Sequence, residues 1–116
     1  MFRPGGVTYV RIPAPQPAAL AGFYRDVFAW TVDRSGEQPK FADGSGHVIG
    51  HFVADQRPTG AEGVRLYIYV ASVSETLAAL GAHGARVVTP AYAEGSLTVA
   101  TFEDPAGNVV GVWQLT

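Results

Sequence analysis

The sequence contains no cysteine, a single methionine and no block of charge of one sign. The missing cysteines exclude a disulfide framework, thiolate zinc sites and cysteine nucleophiles. Because 8 Lys and Arg stand against 10 Asp and Glu, the basic face typical of a nucleic-acid-binding domain is not expected. No apolar stretch is long enough for a signal peptide or a membrane span. These absences predict a soluble cytoplasmic protein that binds neither nucleic acid nor membrane.

The length of 116 residues is that of one domain, so we predict a single domain over residues 1–116. A chain of this size buries roughly two thirds of its unfolded surface. That is enough for a hydrophobic core without cross-links.

The first half of the chain predicts one strand, one helix and three further strands. The helix follows Pro17, a residue suited to the first helical turn. An apolar stripe at i, i+3, i+4, i+7 and i+8 then runs along it, made by Leu20, Phe23, Tyr24, Val27 and Phe28. Strands are predicted at residues 7–12, 31–34, 39–42 and 47–54.

The second half repeats this order. An alternating strand over residues 65–70 precedes Ser72 and Glu75, whose spacing is that of a helix capping box. Strands are predicted at residues 85–88, 98–103 and 109–114. The pattern is βαβββ twice, an α+β fold with module one at about 7–54, a linker at about 55–63 and module two at about 64–116. Since neither half can cover both faces of its sheet alone, the two sheets are expected to join around a shared concave surface.

Three segments resemble the vicinal oxygen chelate superfamily, which includes glyoxalase I, bleomycin-resistance proteins and extradiol dioxygenases. They are FYRDVFAW at residues 23–30, YVASV at 69–73 and FEDPAGN at 102–108. The resemblance implies two tandem βαβββ modules that form a glyoxalase-like open barrel around a cavity.

Metal-binding members of that superfamily take one ligand from the first and one from the last strand of each module. The resemblance puts Tyr9, Gly50, Arg65 and Gly111 at these positions. Glycine has no donor side chain and arginine does not deprotonate, so the chain resembles a metal-less branch. We expect no metal and no other cofactor, with the volume of the missing ligands left free at the two glycines. Close packing of the strands is the alternative reason for glycine at these positions.

Strand alternation selects the side chains that would line the implied cavity. The predicted substrate-binding residues are Tyr9, Arg11, Phe52, Arg65, Tyr67, Tyr69 and Trp113. A solvated sheet face, or ordinary core packing for Phe52 and Trp113, gives the same pattern. Arg11 and Arg65 need a carboxylate, water or an anionic ligand as partner if buried, and Glu103 is the nearest candidate.

Two histidines, His47 and His51, are four residues apart. On a strand such residues lie about 13 Å apart, too far to share a metal ion. By parity both are predicted to point away from the face of Tyr9. His51 remains a candidate acid–base group, and a surface or interface position is the alternative for both.

Two functions fit these features. The first is a metal-independent glyoxalase/bleomycin-resistance-like protein that binds an aromatic or anionic small molecule in the inter-sheet cavity. The alternative is a cofactor-free lyase, isomerase or cyclase of small-molecule metabolism. Its arginines, Arg11 or Arg65, would stabilise an oxyanion, and a cavity tyrosine would transfer a proton. Relatives often pair through their sheet edges, so a homodimer is also expected.

Overall fold

Residues 2–116 of the computed structural model contain eight strands and two helices in the order βαβββ twice. The first five elements are β1 (Tyr9–Pro13), α1 (Pro17–Phe28), β2 (Thr31–Asp33), β3 (Lys40–Ala42) and β4 (Ile49–Val53). The second five are β5 (Tyr67–Tyr69), α2 (Val73–Ala82), β6 (Arg86–Glu94), β7 (Leu97–Glu103) and β8 (Val109–Leu115). Neither helix is long enough to cross a membrane, and the described residues contain no other.

The chain divides into two compact units, the first ending at Pro58 and the second beginning at Thr59. Each unit has its own four-stranded sheet, ordered β1-β4-β3-β2 in unit 1 and β5-β8-β7-β6 in unit 2. In both, the first strand runs parallel to the last strand of its unit, and the other neighbours are antiparallel. The prediction of an α+β fold with two tandem modules is confirmed, and each four-stranded sheet is open, with two outer strands.

An aromatic cluster between α1 and the sheet forms the core of unit 1. Tyr24 on the helix stacks on Trp30, with ring centroids 4.6 Å apart, and on Phe52 of β4 at 5.8 Å. Phe41 of β3 stacks on Trp30 at 4.9 Å. All four side chains are buried, so α1 covers one face of its sheet. The helix ends at Phe28 and is followed by Ala29, whose backbone is left-handed with φ 58°.

In unit 2, α2 covers one face of the sheet in the same way. The Ser72 hydroxyl accepts a hydrogen bond from the Glu75 backbone N–H at 3.2 Å, as the capping-box pattern predicts. At the same helix end, the Gln114 amide oxygen of β8 accepts from the Val73 N–H at 2.6 Å. The buried side chains on this face of the sheet include those of Ala100, Phe102 and Val112.

The turn between β7 and β8 is built around Asp104, which is buried. One carboxylate oxygen accepts from the backbone N–H groups of Ala106 and Asn108, and the other accepts from the Asn108 side chain at 3.0 Å. Gly107 has φ 102°, a conformation that only glycine adopts readily. This turn fixes the pairing of β7 with β8.

Strand β6 is longer than predicted, since it continues from residue 88 to Glu94. The predicted strand ended at residue 88, and Pro90 lies in the part of β6 that was not predicted. β6 is an outer strand of its sheet, where a missing N–H is tolerated. Its pairing with β7 also shifts on both sides of Thr89, so irregular pairing accommodates the proline.

Candidate functional site

Each sheet has a second face, turned away from its own helix, which we call the helix-free face. Residues paired across neighbouring strands share a face. In unit 1, His51 of β4 pairs with Arg11 on one side and Lys40 on the other. These three polar side chains therefore form a row on the helix-free face. The next row contains Tyr9, paired with Ile49.

The helix-free face of unit 1 holds a hydrogen-bonded tyrosine–histidine pair. The Tyr9 hydroxyl lies 2.7 Å from Nδ1 of His51, and the ring centroids are 5.8 Å apart. Arg11, beside His51 in the row, forms an exposed ion pair with Asp55 at 3.5 Å. The pair thus offers a hydroxyl and an imidazole next to a cationic group.

Lys40 also has a carboxylate beside it, because it pairs with Asp33 of β2. Hydrogen bonds from the hydroxyl and backbone N–H of Ser35 lower the pKa of Asp33, and the charge of Lys40 lowers it further. Asp33 is therefore ionised at neutral pH and offsets the charge of Lys40. The positive charges of this face are thus balanced at both ends of the row.

Three predictions for β4 are wrong. Phe52 pairs with Ile12 and stacks on Tyr24, so it belongs to the core and not to the face of Tyr9. Gly50 also lies on the helix side of the sheet, because it pairs with Val10 and not with Tyr9. A Cβ there would overlap the Val10 carbonyl oxygen and lie 2.8 Å from the Phe41 ring. His51, predicted to point away from Tyr9, is hydrogen-bonded to it.

The helix-free face of unit 2 is aromatic. One row across the sheet is Tyr67, Gly111, Thr101 and Thr89, and the next is Tyr69, Trp113, Val99 and Tyr92. Tyr69 and Trp113 meet edge to face, with ring centroids 4.9 Å apart. Tyr67 is 42% exposed and Tyr69 61% exposed, whereas Thr101 is 2% exposed. The structure thus places three predicted site residues, Tyr67, Tyr69 and Trp113, on one face, as alternation predicts.

The volume expected to be free at Gly111 is filled. A Cβ on Gly111 would overlap the Cγ, Cδ2 and Cε2 atoms of Tyr67, so the tyrosine ring lies across the glycine. Such covering of a strand glycine by a cross-strand aromatic ring is a known way to fill the missing side chain. Both glycines therefore permit close aromatic packing, at Gly50 by Phe41 and at Gly111 by Tyr67.

Arg11 has a carboxylate partner as predicted, but that partner is Asp55 and not Glu103. Glu103 forms an ion pair with Arg86 at 2.8 Å, so its expected pairing with Arg11 or Arg65 is wrong. Arg65 lies two residues before β5, is partly exposed, and donates to the Ala61 carbonyl oxygen at 3.3 Å. The hydrogen bond leaves other guanidinium N–H groups for a ligand.

The residues present do not fit a divalent metal ion. Of the four positions implied for ligands, two are glycines and Arg65 carries a cation. Tyr9 has one histidine beside it, and residues 2–116 hold no group of three or more His, Cys, Asp or Glu side chains that could bind a metal. A zinc site normally needs at least three protein ligands.

Sequence reasoning missed two polar groups of the helix-free faces, His51 and Thr101. The sequence does carry a signal for His51, because His51 shares a face with Ile49 two residues earlier. Using this signal requires the register of β4 against β1, which pairs Ile49 with Tyr9. Thr101 lies in β7, and the residues on either side of it in the sequence, Ala100 and Phe102, are apolar. Alternation places Thr101 on the face opposite to Thr98, but nothing in the sequence shows that its hydroxyl is buried without a partner.

A family model described as a glyoxalase-like domain matches residues 9–113. Among solved structures, a glyoxalase/bleomycin resistance protein/dioxygenase family enzyme from Burkholderia phytofirmans PsJN is 20% identical with a TM-score of 0.76, covering 94% of this chain and 98% of that one. TnmS3, an antibiotic binding protein from Streptomyces sp. CB03234, is 23% identical with a TM-score of 0.73, and both chains are covered completely. TioX from Micromonospora sp. ML1 is 17% identical with a TM-score of 0.71, covering 97% of this chain and 100% of that one.

No curated protein sequence matches the chain. The three solved structures are 17 to 23% identical to this chain, and their similarity shows that they share its fold. The family match spans both βαβββ modules, from Tyr9 in β1 to Trp113 in β8. The chain therefore belongs to the glyoxalase-like domain family of the vicinal oxygen chelate superfamily.

Proposed function

We propose that this chain is a metal-independent, cytoplasmic protein that binds an aromatic or anionic small molecule on the helix-free faces of its sheets. The observation that carries the proposal is the exposed aromatic surface of unit 2. Tyr67, Tyr69 and Trp113 lie next to one another there, and both tyrosines are more than 40% exposed. Clustered exposed aromatic side chains mark binding surfaces. TnmS3, which shares the fold, is described as an antibiotic binding protein.

We propose that the arginines bind the anionic group of the ligand. Arg65 precedes the aromatic strand β5, and within residues 2–116 its side chain has a single hydrogen bond, to a neutral carbonyl. A carboxylate or phenolate would form charge-assisted hydrogen bonds with it, which are stronger than a bond to a carbonyl. Arg11 is a second candidate in unit 1, where Asp55 already offsets its charge.

Binding should be visible at the two indole N–H signals in an NMR titration of labelled protein with 2-naphthoate. We expect the Trp113 signal to shift, because a stacked naphthalene ring changes its magnetic environment. The Trp30 signal should stay in place, since Trp30 is 7% exposed and packed against Tyr24 and Phe41. Replacing Tyr69 by alanine should weaken binding by about threefold to tenfold, the worth of one aromatic contact.

The matched control is Leu66→Ala, which removes an exposed apolar side chain one residue before β5. It should bind 2-naphthoate as tightly as wild type. Equal shifts of both indole signals, or equal losses in the two variants, would contradict a site on the aromatic face.

We propose metal independence because the four positions at which relatives have metal ligands hold Tyr9, Gly50, Arg65 and Gly111. The purified protein, after tag removal, should hold far less than one equivalent of Zn, Ni, Fe or Mn by elemental analysis. Addition of chelator should leave 2-naphthoate binding unchanged. One equivalent of metal retained through dialysis against chelator would overturn this part of the proposal.

The Tyr9–His51 pair favours a second candidate function, a cofactor-free isomerase or lyase. A histidine beside a tyrosine hydroxyl can pass a proton to or from a carbon next to a carbonyl. Arg11, adjacent to His51 in the sheet, can hold the developing oxyanion. Proton transfer of this kind needs no metal ligand from the chain.

Phenylpyruvate is a suitable probe of this activity, since exchange of its methylene protons with D2O is followed by NMR. If the second function holds, His51→Gln and Tyr9→Phe should each slow the catalysed exchange, for His51→Gln by about 100-fold or more. His47→Gln, the same change at an exposed histidine, should retain the wild-type rate. Exchange no faster than in buffer would exclude this function for aromatic keto acids.

We also propose that the chain forms a homodimer. Exposed apolar side chains outside the aromatic surface support this, including Val7 at 77%, Val64 at 93% and Leu115 at 62% exposed. Light scattering at micromolar concentration should give twice the chain mass of 12.2 kDa. A mass equal to that of one chain at this concentration would refute the dimer.

A further inference from the structure

The hydroxyl of Thr101 is buried and has no hydrogen-bond partner among residues 2–116. Thr101 lies on β7 within the aromatic face of unit 2 and is 2% exposed. A buried hydroxyl without a partner costs free energy, and native proteins almost always satisfy such groups with protein, water or ligand. The hydroxyl can donate one hydrogen bond and accept two. Its position therefore indicates a partner that the chain itself does not supply.

Thr101 has Thr89 on one side of its row, and on the other side Gly111, which the ring of Tyr67 covers. Thr101 pairs directly with Gly111, and Gly111 pairs on its other side with Tyr67. The ring covers Gly111, because a Cβ at that position would coincide with ring atoms. Tyr67 is 42% exposed and belongs to an outer strand. Its ring can therefore leave Gly111 without disturbing the helix-facing core.

Without the Tyr67 ring, a ring-sized space would open on this face. Its floor would be the backbone of Gly111, which has no side chain to obstruct a flat molecule. Thr101 would border it on one side, since paired residues of an antiparallel sheet are about 4.5–5.5 Å apart. Trp113 and Val99 of the adjacent row would supply apolar walls.

We propose that Tyr67 is a displaceable cover over a ligand subsite on Gly111, with the Thr101 hydroxyl as its hydrogen-bond donor. The ligand class is a flat aromatic ring that carries an oxygen acceptor close to the ring, as in an aryl ketone. This inference rests on the proposed binding function and gives Tyr67 a different role from Tyr69 and Trp113. The ligand ring takes the place of the tyrosine ring, and its oxygen accepts the hydrogen bond that Thr101 lacks.

The first test needs no ligand. Thr101→Val replaces the hydroxyl by a methyl group of similar size, so it should raise the thermal unfolding midpoint, by about 3 °C or more. Thr98→Val is the matched control on the same strand. Its hydroxyl lies 3.0 Å from that of Thr116, so its loss should leave the midpoint unchanged or lower it. A lower midpoint for Thr101→Val would show that the hydroxyl is already satisfied, and would overturn the subsite.

The second test uses two probes of one shape, 2-acetylnaphthalene and 2-isopropenylnaphthalene, which differ only by an oxygen in place of a CH2 group. Wild type should bind the ketone about tenfold more tightly than the alkene. Thr101→Val should remove that preference by weakening the ketone alone. Tyr67→Ala should bind both probes more tightly than wild type, because no ring has to be displaced.

The outcomes separate the subsite from the binding function. If both probes bind wild type but Thr101→Val keeps the preference, the subsite is wrong while the binding function stands. If Tyr67→Ala weakens both probes, Tyr67 is a contact and not a cover, which also overturns the subsite. If neither probe binds wild type or Tyr67→Ala while 2-naphthoate does bind, the subsite is wrong and the binding function stands. If 2-naphthoate does not bind either, the aromatic binding function and the subsite fail together.

Discussion

One helix packs on one face of each sheet, and every assignment of a site depends on that packing. A strand alternates its side chains between two faces, so the packed helix fixes which residues of each strand face it. In unit 1 the burial of Phe52 under Tyr24 assigns Tyr9, Arg11 and His51 to the other face. The same constraint in unit 2 leaves an aromatic surface opposite the helix.

The two modules share topology and differ in the chemistry of their helix-free faces. Unit 1 presents a hydrogen-bonded Tyr9–His51 pair within a row of charged groups that carry their own counterions. Unit 2 presents aromatic rings around the buried hydroxyl of Thr101. Proton transfer suits the first surface and recognition of a flat molecule suits the second. The two proposed functions thus rest on the side chains of different modules.

The element order, both helices and the turn at Asp104 could be predicted because their signals are local: an apolar period, a capping pair and a turn composition. That Tyr67, Tyr69 and Trp113 share one face was also predicted, from alternation within each strand together with the family resemblance. The face of Phe52 and His51 was not. Alternation relates residues within a strand, but relating two strands requires their register, and a shift of one residue exchanges the faces. An apolar Phe52 satisfies either face equally well, so composition cannot correct the shift.

A crystal structure of the protein with 2-naphthoate bound tests the central claim, that the helix-free face of unit 2 is the binding surface. We expect the naphthalene ring to contact Tyr69 and Trp113, and its carboxylate to lie within hydrogen-bonding distance of Arg65. A ring bound on the helix side of the sheet, or at a surface without any of these residues, would contradict it.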